Sequence, residues 1–213
     1  MYRSIFRPGL FQGQVAVVTG GGSGIGRCTA HELASLGAAV ALVGRNADKL
    51  AAVRTEIVEA GGTAHAYVCN IRDEAAVQAL VAQIHAEHGR IDALVNNAGT
   101  GLHAPFTETT EAQFDELVNV HLKSTFFLTQ KLLPLLSDGG RIINLSSGLA
   151  RFTFPGASAY AAMKGGIEVL TRYMAKELGA RGISVNTLAP GAIETDFGGG
   201  RVRDNAELNR QVA

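Results

Sequence analysis

Val15-Ala16-Val17-Val18 runs straight into Thr19-Gly20-Gly21-Gly22-Ser23-Gly24-Ile25-Gly26, and behind the glycines the pattern turns helical to about Leu36. A short, wholly apolar run is the signature of a strand buried on both faces. Glycines let the chain turn tightly and approach a ligand closely, and a helix that opens at such a turn points free N–H groups at an anion. Strand, glycine turn and helix in this order form the cradle that holds a pyrophosphate. The strict G-x-G-x-x-G spacing is absent, because the key glycines fall at 20, 24 and 26.

The alternation continues outward from this unit. Val40-Ala41-Leu42-Val43 reads as a second strand, followed by a helix capped by Asn46 and running to about Ala60. A strand at 64–68 precedes a helix capped by Asp73, whose Val77, Leu80, Val81 and Ile84 share one face. A strand at 93–95 leads into a long helix predicted over 111–136, with Phe114, Leu117, Val118, His121 and Leu122 along one side. A strand at 141–145, a helix over 159–180 and a strand at 183–188 complete the series. Six apolar strands separated by helices imply an α/β fold with a doubly wound parallel sheet covered on both faces. The whole chain, 1–213, reads as one domain, with 1–12 as an N-terminal extension and 198–213 as a mobile tail.

Composition excludes several classes. Lys and Arg together number 19 against 19 Asp and Glu, so no basic surplus marks a nucleic-acid binder. With 46% hydrophobic and 18% charged residues, the chain is too apolar to be disordered. No apolar run approaches the ~20 residues that cross a bilayer, and Arg3 and Arg7 are not followed by the apolar stretch of a secretory signal. Cys28 and Cys69 form no C-x-x-C pair, which argues against a disulfide framework or a zinc knuckle and for the reducing cytoplasm; no metal site is expected.

The second strand ends Val43-Gly44-Arg45-Asn46, without the acid that would read a ribose 2′-hydroxyl. Arg45 can pair with a 2′-phosphate through its planar fork. NADP(H) is therefore the preferred cofactor and NAD(H) the second choice; the plainer reading makes Arg45 a solvated charge at a strand end.

Thr19-Gly20-x-x-x-Gly24-x-Gly26, Asn96-Asn97-Ala98-Gly99 after the fourth strand, Tyr160-x-x-x-Lys164 and Pro190-Gly191 after the sixth occur in order, each at the matching element. On these residues the chain resembles the short-chain dehydrogenase/reductase family, a Rossmann-like fold, from Leu10 to about Phe197. The resemblance implies catalytic roles for Ser147, Tyr160 and Lys164. It implies cofactor contacts from Gly20, Gly22, Ser23, Gly24, Ile25, Arg45, Asn70, Ile71, Asn97, Ala98, Gly99, Tyr160, Lys164, Pro190, Gly191 and Ile193.

Tyr160 and Lys164 differ by four and share a helix face. An ammonium beside a phenol is expected to pull the phenol below its usual pKa of ~10, so that Tyr160 acts as general acid or base. Lys164 is expected on the nicotinamide ribose, and Ser147 on the substrate oxygen. Three departures stand out. His121 occupies the position where the family commonly has an Asn holding a relay water, and is read equally as a relay or a buried spacer. Asn70 stands where an Asp often meets adenine. The chain ends at Ala213, before the family's seventh strand, leaving the sixth strand as an open edge.

The leading function is NADP(H)-dependent interconversion of a secondary alcohol and a ketone. One alternative is reduction of a carbon–carbon double bond, since Pro8-Gly9-Leu10-Phe11 and Cys69-Asn70-Ile71-Arg72 look like enoyl-CoA reductases; another is a dinucleotide-binding module without turnover. The expected partner is a small alcohol or carbonyl compound, with no nucleic acid or membrane, and a homodimer through the long helices in preference to a tetramer.

Overall fold

A computed structural model describes residues 4–212. The first three residues of the expected extension and the last residue of the expected tail lie outside the described residues. The strands are β1 (Val15–Thr19), β2 (Ala39–Gly44), β3 (Thr63–Val68), β4 (Ile91–Asn96), β5 (Leu136–Leu145) and β6 (Ser184–Leu188). The main helices are α1 (Gly24–Ser35), α2 (Ala47–Glu59), α3 (Glu74–His88), α4 (Glu111–Leu117), α5 (Ser124–Leu132) and α6 (Ser158–Leu178). Asn46 caps α2 by accepting from the Lys49 N–H at 2.9 Å, and Asp73 caps α3 by accepting from Ala76 at 3.0 Å.

The sheet is parallel throughout, in the order β3-β2-β1-β4-β5-β6. The order reverses between β1 and β4, and the crevice beyond the carboxyl ends of these strands is where such sheets bind ligands. Successive strand residues feed opposite layers. Val17, Ala41 and Val43 pack with Leu80 and Ile84 of α3 and Leu128 and Leu132 of α5, and Met174 and Leu178 of α6 join them. Val18, Val40 and Leu42 pack with Ala30 and Ala34 of α1 and Leu50, Val53 and Ile57 of α2. β6 pairs only with β5 among the described residues and forms one edge of the sheet.

Two expectations need correction. The helix predicted over 111–136 is broken: α4 passes through a π-helical turn at Val118–Lys123 into α5, and a 3-10 turn at Leu133–Leu135 carries Pro134. Proline lacks the N–H that would continue the helix, so the chain leaves it there and β5 begins at Leu136. The segment expected as a tail has local structure: a 3-10 turn at Phe197–Gly200, then α7 (Arg201–Asp204) and α8 (Ala206–Val212). Three glycines with positive φ, 198 to 200, make the bend, and Arg203 pairs with Asp196 across it and with its neighbour Asp204.

A chain of buried amides and hydroxyls ties the layers together. The Asn96 amide donates to Asn144 Oδ1 at 2.8 Å and Thr129 Oγ1 at 3.0 Å. The Asn144 amide donates to Thr171 Oγ1 at 2.9 Å, and Thr171 donates to the Ile167 carbonyl at 2.7 Å. One link thus joins β4, β5, α5 and α6.

Candidate active site

Every predicted site residue lies at the carboxyl side of the sheet, on a strand end or the segment that follows it. The glycine loop follows β1, and each key glycine has its own physical reason. Gly20 and Gly24 have φ of +66° and +52°, where a side chain is strained. A Cβ on Gly26 would lie 2.3 Å from the Gly20 carbonyl oxygen, so α1 packs against its own entry loop only through bare backbone. Ser23 makes no side-chain cap, and the first turn of α1 contains no acid, which leaves its N–H groups pointing outward. Ile25 packs on the core beneath, and Gly22 lies against Lys49.

Thr19 and Asn97 tie the exits of the neighbouring strands β1 and β4 together. The Thr19 hydroxyl donates to the Val95 carbonyl at 3.2 Å and accepts from the N–H groups of Asn97 and Ala98 at 2.9 and 3.0 Å. The Asn97 amide donates back to the Thr19 carbonyl at 2.9 Å. The Asn97 side chain is thus engaged by the loop, and sequence reasoning gave Thr19 no role. Its signal was a hydroxyl residue closing an apolar strand immediately before glycine.

Arg45 follows β2, is exposed, and has no side-chain partner among the described residues. Asn70 and Ile71 follow β3; Asn70 Oδ1 accepts from the Arg72 backbone at 3.3 Å and from its Nε at 3.2 Å, while Ile71 packs on the core. Pro190 accepts from the Gly148 N–H at 3.0 Å, tying the exit of β6 to that of β5. Gly191 and Ile193 are exposed.

Ser147, Tyr160, Lys164 and His121 meet where α6 crosses the exit of β5. Ser147 Oγ accepts from the Leu149 N–H at 3.2 Å, and the hydroxyl lies close enough to the Tyr160 phenol to lower its pKa. Ser146 points the other way, its hydroxyl 3.1 Å from both the Lys164 carbonyl and the Glu168 carboxylate. Lys164 is buried; its Nζ donates to the Leu145 carbonyl at 2.7 Å and lies 5.5 Å from the Tyr160 ring centre.

The electrostatics correct the expectation for the phenol. Burial pushes Tyr160 up to about 12, with the Ser147 hydrogen bond pulling the other way, and burial pulls Lys164 down to about 8. Desolvation of both groups outweighs their mutual field. Tyr160 therefore holds its proton at neutral pH, in the form that can donate it.

His121 sits in the π turn, a feature that recurs where a helix must re-aim a side chain at a functional site. Its ring meets the Tyr160 ring edge-on at 5.3 Å, and Nε2 donates to the Thr100 carbonyl at 2.8 Å. Nδ1 is buried with no partner among the described residues. A Cβ on Gly99 would lie 2.8 Å from His121 Cε1, so Gly99 makes room for the imidazole. Burial, then the Lys164 charge, pull His121 down to about 4. The ring is therefore neutral throughout the working range.

That depression predicts a stability effect. Between pH 4 and 6.5 the unfolded chain binds a proton on His121 that the folded chain refuses, so stability rises with pH across this window and falls on acidification. Between pH 7 and pH 4 the group should account for about 3 kcal/mol of lost stability. Urea unfolding of His121→Asn should show a pH dependence flatter by that amount; an unchanged slope would remove the assignment.

The segment after β6 lies against the cleft. Thr195 Cγ2 would lie 3.3 Å from a Cβ on Gly24, Lys49 pairs with Asp196 at 3.2 Å, and the Phe197 ring is 5.8 Å from that of Tyr160. Near the start of α6, a cavity of about 610 Å³ is walled by His103, Phe106, Leu149, Phe152 and Phe154.

The sequence profile described as short chain dehydrogenase matches residues 14–206, and the chain belongs to that family. It is an oxidoreductase of the family, acting on CH–OH groups. It is 34% identical over 98% of its length to a 3beta-hydroxysteroid dehydrogenase of Mediterraneibacter gnavus, covering 75% of that protein. A citronellol catabolism dehydrogenase of Pseudomonas aeruginosa superimposes with a TM-score of 0.84 at 46% identity, over 89% of this chain and 78% of that one. A short chain dehydrogenase of Burkholderia cenocepacia, solved in complex with NADP, gives a TM-score of 0.87 at 35% identity, over 94% and 82%.

Proposed function

We propose that the protein interconverts a bulky, apolar secondary alcohol and its ketone with NADP(H), Tyr160 exchanging the proton. The observation that carries this reading is the buried Tyr160 phenol, which keeps its proton and stands in the same pocket as Ser147, one helical turn from Lys164. The dinucleotide fits the site: bare backbone at Gly20, Gly24 and Gly26 admits a pyrophosphate, the N–H groups of α1 face it, and Arg45 is free to take a 2′-phosphate. When bound, the nicotinamide supplies or accepts the hydride. Asn70, Ile71, Ala98, Gly99, Pro190, Gly191 and Ile193 border the remainder of the cofactor, and Lys164 turns from the Leu145 carbonyl to the ribose hydroxyls.

In the reducing direction Tyr160 Oη donates its proton to the carbonyl oxygen while Ser147 Oγ donates a hydrogen bond to the same oxygen, stabilising the charge that develops there. In the oxidising direction Tyr160 takes the alcohol proton back, and the Lys164 ammonium stabilises the phenolate left between turnovers. His121, neutral and anchored on Thr100, keeps the floor of the phenol pocket apolar. The aromatic cavity supports an apolar substrate, as does the similarity to proteins named for a steroid and for citronellol. Exposed Phe114, Phe126 and Phe127 on α4 and α5 support a homodimer through those helices, and the free cysteines support a cytoplasmic setting. No described helix is long and apolar enough to cross a membrane.

The reaction is tested by a panel of secondary alcohols offered with NADP⁺ and NAD⁺. Reduced nicotinamide should form with apolar members and NADP⁺; no turnover of any member in either direction would overturn the reading. Cofactor choice is tested by Arg45→Ala. A charge-assisted hydrogen bond is worth roughly 1.5–3 kcal/mol, so NADPH should bind about 10- to 150-fold more weakly while NADH hardly changes. Gly44→Asp should shift preference toward NADH, and its Cβ has room, at 3.4 Å from Leu50 Cδ2. Equal affinity of the parent for both cofactors would refute the preference.

A further inference from the structure

A compact group of metal-ligating side chains lies outside the cleft. His65 is in the edge strand β3, while Glu87 and His88 close the last turn of α3, which runs from the carboxyl side of the sheet back toward its amino side. Their donor atoms all lie within 4.8 Å of one another. His65 Nδ1 is 3.3 Å from Glu87 Oε2, and the two imidazoles meet edge to face with ring centres 4.8 Å apart. The Tyr67 hydroxyl bridges Glu87 and His88, donating to Glu87 Oε2 at 2.7 Å and lying 2.9 Å from His88 Nε2.

We propose that His65, Glu87 and His88 bind a Zn²⁺-class cation that clips the edge strand β3 to the end of α3. Two imidazole nitrogens and one carboxylate suit a borderline transition-metal ion, whereas Mg²⁺ and Ca²⁺ select oxygen ligands. Tetrahedral coordination with bonds of 2.0–2.2 Å places donor atoms about 3.4 Å apart. The His65–Glu87 pair already has that separation, and the widest pair must close by about 1.4 Å. The His65 and Glu87 side chains are 42% and 47% exposed, so rotation supplies the movement and solvent supplies the ion. Tyr67 is buried and fixed in the strand, and its hydroxyl holds the Glu87 carboxylate in place as an outer partner of a metal ligand does. The ion would join His65 to His88, which are 23 residues apart and share no hydrogen bond among the described contacts. None of the three belongs to the catalytic group, so the site is structural.

The test is a Zn²⁺ titration of the metal-stripped full chain by calorimetry, with Tm followed in parallel. One ion should bind per chain, and Tm should rise by roughly 5–10 °C when free Zn²⁺ stands at about 100 times its dissociation constant. Mg²⁺ should leave Tm unchanged. His65→Ala and Glu87→Gln should each weaken Zn²⁺ by about tenfold or more. His85→Ala is the control: this ring lies in the same helix end but faces the Gly89 carbonyl, and its loss should leave Zn²⁺ affinity intact. Because Glu87 is exposed, Glu87→Gln reports even where His65→Ala folds poorly. Parental affinity in both ligand variants, equal loss in the His85 control, an unmoved Tm or an equal response to Mg²⁺ would each overturn the proposal.

Discussion

Tyr160→Phe should lower turnover by roughly a thousandfold while NADPH affinity stays within about threefold, because only the hydroxyl that exchanges the proton is removed. The ring is held by His121 edge-on, by Phe197 and by Leu117 and Met163, and none of these contacts uses the oxygen. The pocket should therefore keep its shape, and the lost step should show in kcat rather than KM. Steady-state kinetics beside a fluorescence titration of NADPH separates the two. Activity within a few-fold of the parent would sink the assignment of the proton to Tyr160, though Arg45 would still govern the choice of cofactor.

Gly26→Ala should have an effect of similar size by a different route. The added methyl would meet the Gly20 carbonyl, fixed backbone, at 2.3 Å and the Asn97 side-chain amide, held by the Thr19 and Gly20 carbonyls, at 2.5 Å. Either α1 moves off its loop or the loop moves off β1, at a cost of about 3 kcal/mol in stability. Since the same backbone forms the pyrophosphate cradle, NADPH affinity should fall at least about a hundredfold. A folded variant that binds NADPH normally would show that the loop does not form the cradle.

The layered architecture was legible because it rests on patterns that local sequence carries. Apolar runs such as Val40-Ala41-Leu42-Val43 can only be buried strands, and Asn46 and Asp73 cap helices where such residues are expected. What failed depended on tertiary context. The apolar spacing through Leu117, Val118 and His121 suits a continuous helix and cannot reveal the extra residue of the π turn, from which His121 meets Tyr160. The raised pKa of Tyr160 was equally invisible, because the Lys164 ammonium could be placed from spacing while the burial that outweighs it could not. The bonds of the Asn97 amide to the glycine loop were hidden as well, because its partners lie 77 and 78 residues away. His65 and His88 drew no notice because their meeting depends on how α3 folds back on β3.

The buried link from Asn96 through Asn144 to Thr171 has a consequence for how the chain assembles. Apolar surfaces tolerate sliding, and α6 could otherwise settle against the sheet one residue up or down at little penalty. A displaced setting would take the Thr171 hydroxyl, which keeps its bond to Ile167 in its own helix, away from the Asn144 amide and leave that buried amide stranded, at roughly 1–3 kcal/mol. The link therefore acts as a detent that rejects misaligned dockings. Because α6 carries both Tyr160 and Lys164, correct alignment of the catalytic pair is enforced during folding by residues that never touch the substrate.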